Sequence, residues 1–330
     1  MKTTRSCLAL ALAATTLCAG ANAGAEAFAQ ADRLVAVGAQ RLNLHCSGSG
    51  SPTVVFEAPS GEAGWTWWAV QPAVAATTRA CTYDRPGFGF SDPARHAGSS
   101  ANAVDDLHAL LAAAGVAPPY VLVGNSLGGA NVQLYAYRYP AEVAGLVLVE
   151  AMHEDERARL DKARQGKLAA LEAEEDAGAR ACAAEAEKPP AARGADFAEC
   201  TGGPHPGFPP AIGAVDLASR QGRAYWRAAL SEHDAFDADR AQLRAARKPF
   251  GDLPLIVLAR TVSPWATPGK PQSDTNKATE AENLAMQREV SALSTRGQLR
   301  LIERAGHLVQ DDRPDAVVQA VADLLAQARR

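Results

Sequence analysis

This 330-residue sequence lacks three features, and each absence excludes a class of function. It has no basic excess: the net charge at pH 7 is -4, so nucleic-acid binding has no electrostatic support. Its N-terminal apolar stretch, Cys7 to Cys18, falls well short of the ~20 residues of a membrane span, which argues against a stable membrane anchor. No Cys/His cluster has zinc-site spacing, so the sequence predicts no metal.

The N-terminus has the pattern of an export signal. Lys2 and Arg5 form a charged region ahead of the apolar stretch, and Ala21-Asn22-Ala23 is an A-x-A cleavage site. We therefore predict a signal peptide over residues 1–23, cleaved near Ala23, and a secreted or periplasmic mature protein.

Four cysteines remain after removal of this signal, an even number in an oxidising compartment. Such a set predicts disulfides, and its three possible connectivities stay open at this point. The four residues are Cys46, Cys81, Cys182 and Cys200.

The stretch from Tyr120 to Tyr139 organises the chain. Its first four residues predict a short buried strand, and Gly124-Asn125-Ser126-Leu127-Gly128 then turns directly into a helix. A Gly-x-Ser-x-Gly turn between strand and helix is typical of a nucleophile elbow, in which glycines allow the strand and helix to cross closely. The sequence therefore predicts Ser126 as a nucleophile.

Strands and helices alternate along the chain, and several strands are continuously apolar. This pattern predicts an α/β fold, with a mostly parallel sheet of about eight strands covered by helices on both faces. Active residues lie at the C-terminal ends of such strands, where Ser126 falls. The predicted strands are Arg33–Val37, Gln40–Cys46, Thr53–Glu57, Arg79–Tyr83, Tyr120–Val123, Ala144–Val149, Leu253–Ala259 and Gln298–Ile302, and the first predicted helix is Trp65–Thr77.

The alternation breaks between residues 151 and 248. This segment is helical in character but rich in Ala, Glu, Arg and Lys, with a Pro- and Gly-rich stretch in its middle. Its aromatic residues, such as Tyr225 and Trp226, argue against a disordered linker. We predict a helical cap inserted between a first core part, residues 24–150, and a second, residues 249–330.

Several separate stretches together resemble the α/β-hydrolase fold superfamily, in its serine hydrolase branch with a cap. They are T-V-V-F-E, C-T-Y-D-R-P-G-F-G-F-S-D, the elbow, R-Y-P-A-E-V-A-G-L-V-L-V-E and A-G-H-L-V-Q-D-D-R-P. The similarity extends from about Arg41 to Ala328, interrupted by the insertion. It implies a catalytic triad whose members follow the chain order serine, acid, histidine.

The resemblance assigns further site residues. The family's histidine follows its last strand, which here is His307, the predicted base. The oxyanion hole takes the N–H of the residue after the nucleophile, Leu127, and one from the loop after T-V-V-F-E. Pro59 in that loop has no N–H, so Ser60 is the expected donor, with Gly61 as the alternative.

The acid departs from the family's common pattern. No carboxylate follows the Leu253–Ala259 strand until Asp274, whereas Glu150 ends the strand directly after the elbow unit. Some family members, including certain lipases and haloalkane dehalogenases, place their acid at that second position. We predict Glu150 as the acid, because a strand end is a rigid mount, with Asp274 as the alternative.

The resemblance implies a serine hydrolase that cleaves a carboxylic ester or related acyl bond of a small molecule, without a cofactor. An aminopeptidase or amidase, a lactonase, a cofactor-free peroxidase-like activity and a non-catalytic binding protein are the alternatives. Family sheet order makes the strands of Cys46 and Cys81 neighbours, so we predict that pair and Cys182–Cys200 within the insertion. Alternatively, Cys46 and Cys81 are buried free thiols.

Overall fold

The computed structural model describes residues 24–267 and 269–328, so the predicted export signal lies outside the described residues. The sheet has eight strands, in the spatial order β1-β2-β4-β3-β5-β6-β7-β8 once they are numbered along the chain. They are β1 Arg33–Val37, β2 Gln40–Ser47, β3 Thr53–Glu57, β4 Ala80–Tyr83, β5 Tyr120–Asn125, β6 Val143–Val149, β7 Leu255–Arg260 and β8 Gly297–Ile302.

The sheet is mostly parallel, as predicted. Strand β2 runs antiparallel to β1 and β4, and every pair from β4 to β8 is parallel. The C-terminal ends of β3, β5, β6 and β7 therefore lie at one edge of the sheet. This edge is where the loop after β3, Ser126 and Glu150 meet.

The helices of the described ranges cover both faces of the sheet. None of them is long and apolar enough to cross a membrane. In chain order they are α1 Gln71–Ala75, α2 Ser100–Ala114, α3 Leu127–Arg138, α4 Glu156–Ala163, α5 Leu168–Glu187, α6 Phe197–Thr201, α7 Pro210–Arg220, α8 Arg223–Ala246, α9 Asp274–Ser291, α10 Val309–Asp312 and α11 Pro314–Ala328.

Alternating side chains of the central strands supply two apolar cores. In β3, Val55 packs on the face covered by α2, α3 and α9, whereas Val54 and Phe56 pack on the face covered by α1 and α11. This alternation follows from the two-residue period of a strand. Because both faces are covered, β3 and β5 are buried along their whole length, which explains their continuous apolar sequence.

The predicted helix Trp65–Thr77 is wrong in part. The structure has a 3-10 helix, Gly64–Trp67, followed by the separate helix α1. Pro72 explains the break, since a proline has no N–H to donate to the carbonyl of Trp68 four residues earlier. It is instead accommodated near the start of α1, where an N–H has no helical partner anyway.

The insertion after β6 is helical, as predicted, and contains α4 to α8. Helix α8 packs against α3 and α2 of the core and against α5 of the insertion. Its length of 24 residues lets one helix contact both the core and the rest of the cap. The exact boundaries of the cap at residues 150 and 248 stay predictions.

Both predicted disulfides are present. Cys46 of β2 faces Cys81 of β4 in the antiparallel register, with their Cα atoms 4.1 Å apart. Cys182 of α5 is bonded to Cys200 of α6, with a Cα separation of 5.5 Å. One bond therefore crosslinks the sheet and the other crosslinks the cap.

Candidate active site

The elbow places Ser126 on strained backbone between β5 and α3. Its φ of 55° and ψ of -120° lie in a region that non-glycine residues rarely adopt. The turn requires glycine on either side, because a Cβ on Gly124 would lie 2.3 Å from the carbonyl oxygen of Gly128. Close crossing of strand and helix at these glycines directs the serine towards the edge of the sheet.

Gly128 also brings the loop after β3 against the start of α3. A Cβ at this position would lie 2.5 Å from the carbonyl oxygens of both Glu57 and Ala58. Leu127 is the first residue of α3, and its N–H has no acceptor within the helix. The loop and this N–H therefore border the same space beside Ser126.

Several backbone donors of the loop are missing or already committed. Pro59 has no N–H, Gly61 donates its N–H to Oε2 of Glu232 at 2.9 Å, and Glu62 donates to the carbonyl of Pro59 at 3.3 Å. Among the described residues, the N–H of Ser60 has no hydrogen-bond partner. Ser60 is therefore the donor that remains available to an oxyanion, although its catalytic role stays a prediction.

His307 lies in the loop between β8 and α10, and Asn125 ties this loop to the elbow. The Asn125 amide donates to the carbonyl oxygens of Val149 at 2.8 Å and His307 at 3.1 Å, and it accepts from Gln310 at 3.2 Å. The His307 ring is 41% exposed. Within the described residues no hydrogen bond joins it to the Ser126 hydroxyl, a contact that often forms only when substrate binds.

Glu150 follows β6 directly and points its carboxylate at His307. The side chain is 1% exposed, and its Oε2 lies 3.7 Å from Nδ1 of His307, within ion-pair range. The backbone N–H of Arg260 donates to Oε1 at 2.8 Å, and the Arg260 guanidinium pairs with Oε2. Asn283 also donates to Oε2, at 3.4 Å. These contacts fix the carboxylate in one orientation.

The surroundings of Glu150 favour its ionised form. Burial raises its pKa, but the His307 ring and the Arg260 charge outweigh burial and hold that pKa below its usual range. A buried carboxylate that stays ionised at neutral pH can orient the imidazole and stabilise an imidazolium.

Asp274, the alternative acid, lies elsewhere. It is the first residue of α9, its side chain is 100% exposed, and it pairs with Lys277 at 3.1 Å. Among the described residues no ion pair or hydrogen bond joins it to His307. The geometry favours Glu150, whose function nevertheless stays a prediction.

The residues that hold Glu150 and the loop of Ser60 in place were not predicted from the sequence. Arg260 did leave a signal, because it ends β7, which pairs with β6, the strand directly before Glu150. The family's acid usually follows the strand that Arg260 ends. Arg85 lies in the stretch C-T-Y-D-R-P-G-F-G-F-S-D, which supported the family resemblance but gave Arg85 no role, and Glu232 left no signal. Glu232 is 172 residues from Ser60 in the chain and meets it only through packing of the cap.

Two further carboxylates, Glu62 and Asp311, each have a buried oxygen without a hydrogen-bond partner among the described residues. These atoms are Oε2 of Glu62 and Oδ2 of Asp311. Burial, with nearby Asp216 and Asp311, raises the pKa of Glu62 to about 8. Burial and Asp312 raise the pKa of Asp311 to about 7. These groups therefore gain negative charge only near or above neutral pH.

The structure also brings together two sets of side chains of the types that bind metals. They are His153, Glu154 and Asp155, and Asp176, His233 and Asp234. An arginine already contacts each set: Arg247 contacts His153 and Glu154, and Arg180 pairs with Asp176 and Asp234. The prediction of no metal stays a prediction.

Comparison with known proteins agrees with this architecture. A family model described as alpha/beta hydrolase fold matches residues 52–190. A protein from Acinetobacter baumannii, lip1, described as a candidate lipase, superposes with a TM-score of 0.65 at 16% identity, over 100% of this chain and 98% of that one. This chain has the α/β-hydrolase fold. Est816, described as an N-acyl homoserine lactone degrading enzyme, superposes with a TM-score of 0.57 at 19% identity, over 88% and 99% of the two chains.

Sequence relatives of this chain include hydrolases. The 2-hydroxy-6-oxononadienedioate/2-hydroxy-6-oxononatrienedioate hydrolase of Cupriavidus pinatubonensis is 37% identical over 139 residues, which are 39% of this chain and 47% of that protein. The chain spans less than half the length of the curated relatives it matches, from 15% to 47% in the first four. The similarity thus supports a hydrolase without defining the substrate.

Proposed function

We propose that this α/β-hydrolase is an exported serine hydrolase that cleaves a carboxylic ester or a related acyl bond. The supporting observation is the buried Glu150 carboxylate 3.7 Å from the His307 ring, at the sheet edge that carries the strained elbow serine. A serine at the elbow favours acyl transfer, because it forms an acyl-enzyme that water can hydrolyse.

In the first half-reaction Oγ of Ser126 attacks the substrate carbonyl carbon while Nε2 of His307 takes the hydroxyl proton. The carbonyl oxygen becomes an oxyanion, which the N–H groups of Leu127 and Ser60 stabilise. Glu150 stabilises the imidazolium. The intermediate then collapses, the bond to the leaving alcohol breaks, and His307 returns its proton to that alcohol.

In the second half-reaction a water molecule attacks the acyl-enzyme. His307 takes one proton from the water as its oxygen bonds to the acyl carbon, and the same donors stabilise the new oxyanion. Collapse breaks the bond to Oγ of Ser126, which recovers its proton from His307. The carboxylic acid leaves and the free enzyme is restored.

The test combines covalent labelling with a substrate series. We expect the wild-type protein to react with a fluorophosphonate and to hydrolyse p-nitrophenyl esters of graded acyl length, faster than an aminoacyl p-nitroanilide. Ser126→Ala should do neither while keeping the wild-type melting temperature, because the covalent route is lost. Near-native turnover in Ser126→Ala would overturn the proposal, and preference for the anilide would point to an amidase or aminopeptidase.

Two disulfides support the exported location in this proposal. Such bonds persist in secreted and periplasmic proteins and are rare in reducing compartments. N-terminal sequencing of the protein recovered outside the cytoplasm should find a start near Gly24. A product that retains residues 1–23 would contradict cleavage at the predicted site.

A further inference from the structure

Glu232 of the cap reaches into the core and uses both carboxylate oxygens there. Oε2 accepts the hydroxyl of Ser60 and the N–H of Gly61, each at 2.9 Å. Oε1 accepts from Nε of Arg85 at 2.6 Å. The Glu232 side chain is 3% exposed, so these bonds form in a site that excludes water. A residue of the cap helix α8 therefore contacts the loop that carries the predicted oxyanion donor.

Arg85 binds the same loop through its carbonyl groups. Its guanidinium donates to the carbonyl of Ala58 at 2.7 Å, to that of Pro59 at 2.7 Å and to the carboxylate of Glu57 at 2.9 Å. Arg85 thus engages the acceptors of the loop while Glu232 engages two of its donors. Both side chains are nearly fully buried, which makes these charge-assisted bonds strong.

This arrangement fixes where the free donor points. The Pro59 carbonyl and the Ser60 N–H belong to one planar trans peptide unit, so they point in opposite directions. Arg85 binds the carbonyl side of that unit. The Ser60 hydroxyl is committed to Glu232, which leaves its N–H directed away from Arg85 and free for a ligand.

We infer that Glu232 is a positioning residue for the oxyanion hole, so that the second donor is held in place only while the cap helix is docked. The inference rests on the proposed function. Glu232 itself need not contact the substrate. It acts on Ser60 directly and, through Arg85, on the Pro59–Ser60 peptide.

The chain contains a matched control for this role. Asp239 lies on the same helix, its side chain is buried, and its Oδ1 accepts the N–H of Ser100 at the start of α2, at 2.7 Å. It therefore joins cap to core through the same kind of bond as Glu232. It does so away from the loop of Ser60, so loss of its charge tests docking without touching the proposed donor.

The experiment compares Glu232→Gln and Asp239→Asn with wild-type protein. A glutamine cannot accept from Ser60, Gly61 and Arg85 together, because its amide nitrogen is a donor. We expect kcat for a p-nitrophenyl ester to fall roughly ten- to hundredfold in Glu232→Gln, since removal of a whole oxyanion donor costs about 10²–10³. KM should stay nearly unchanged, and affinity for an alkyl boronic acid, which forms a tetrahedral adduct, should fall with kcat. Asp239→Asn keeps an oxygen that can accept from the N–H of Ser100, and we expect kcat to stay at the wild-type value.

A second variant covers the case in which Glu232→Gln does not fold. Ser60→Ala removes one bond to Glu232 but keeps the Ser60 N–H, and we expect it to lower kcat and boronate affinity severalfold at an unchanged melting temperature. Equal kcat losses in Glu232→Gln and Asp239→Asn, or wild-type kcat in Ser60→Ala, would overturn the inference. Failure of the wild-type protein to label with fluorophosphonate would instead refute the proposed function.

Discussion

At the scale of single residues, backbone strain coincides with the candidate chemistry. Four non-glycine residues in the described ranges have a positive φ, and two of them are Ser126, at 55°, and Glu150, at 45°. They directly follow the neighbouring parallel strands β5 and β6. Strain of this kind persists where the surrounding structure enforces it, and it often marks functional sites.

The identity of the acid can be decided by paired substitutions. Glu150→Gln should lower kcat for an ester by several orders of magnitude, on the order of 10⁴-fold, because the imidazole loses its oriented anionic partner. Asp274→Asn should leave kcat near the wild-type value, since that side chain is fully exposed. Steady-state kinetics on one ester measures both variants. The reverse ranking would show that the wrong carboxylate has been assigned.

Glu62 should make stability depend on pH. Its pKa is raised from 4.5 to about 8, so between these values the folded protein keeps a proton that the unfolded chain releases. The free energy of unfolding therefore falls as pH rises through this range. Glu62→Gln removes this titration. Between pH 5 and pH 8 the unfolding free energy of the variant should therefore rise relative to that of the wild type by more than about 1 kcal/mol. Urea unfolding at both pH values measures this, and parallel pH curves would contradict it.

At the scale of secondary-structure elements, the joint between β5 and α3 depends on missing side chains. Gly124, Gly128 and Gly129 all face atoms that a Cβ would approach within 2.5 Å. The contacts at Gly124 and Gly128 are with backbone, which cannot move aside as a flexible side chain can. The elbow, the loop of Ser60 and the start of α3 are thus one rigid unit.

Substitution of Gly128 should disturb that unit. Gly128→Ala places a methyl group 2.5 Å from two carbonyl oxygens of the β3 loop, so we expect a loss of about 1–3 kcal/mol in unfolding free energy together with reduced kcat. Gly178→Ala is the control, because Gly178 lies in α5 with nothing within 4 Å of its Cβ position. That variant should be neutral or more stable by up to about 1 kcal/mol. Chemical denaturation and ester kinetics on both variants check the contrast, and equal effects would refute it.

At the scale of the whole molecule, the cap is joined to the core by buried side chains of α8 and stabilised internally by its own disulfide. Glu232 and Asp239 provide two of the joining contacts. The Cys182–Cys200 bond closes a short loop within the cap, whereas Cys46–Cys81 lies in the core sheet. Cap and core should therefore respond differently to reduction.

Loss of the cap disulfide should loosen the cap before the core. The two cysteines are 18 residues apart, so their bond stabilises the fold by roughly 3 kcal/mol in the loop-entropy account. Replacing both Cys182 and Cys200 by serine should expose α5 and α6 to limited proteolysis and lower the melting temperature.

Cys81 is fully buried, so its bond to Cys46 should survive mild reducing agent under native conditions. Peptide mapping that finds the sheet bond reduced first would contradict this order.

Much of the architecture and part of the site follow from local sequence. Strands such as Thr53–Glu57 are recognised by continuous apolar residues, and the elbow by glycines around Ser126 at fixed spacing. The prediction of one helix from Trp65 to Thr77 failed in part because Pro72 cannot continue a helix that begins at Trp65. Local pattern thus determines where most elements lie, whereas the ends of several strands differ from the prediction by one or two residues.

The sequence by itself determined the sheet, the cap as an insertion, and which residues lie at the strand ends and in the loops at one edge of the sheet. Short-range periodicity and turn chemistry act within a few residues, so local sequence is enough to encode these features. Only the tertiary structure decided the partners of those residues. Arg260 meets Glu150 across 110 residues, and Glu232 meets Ser60 across 172. Such pairs depend on how strands align and how α8 docks on the core, and no local pattern encodes that packing.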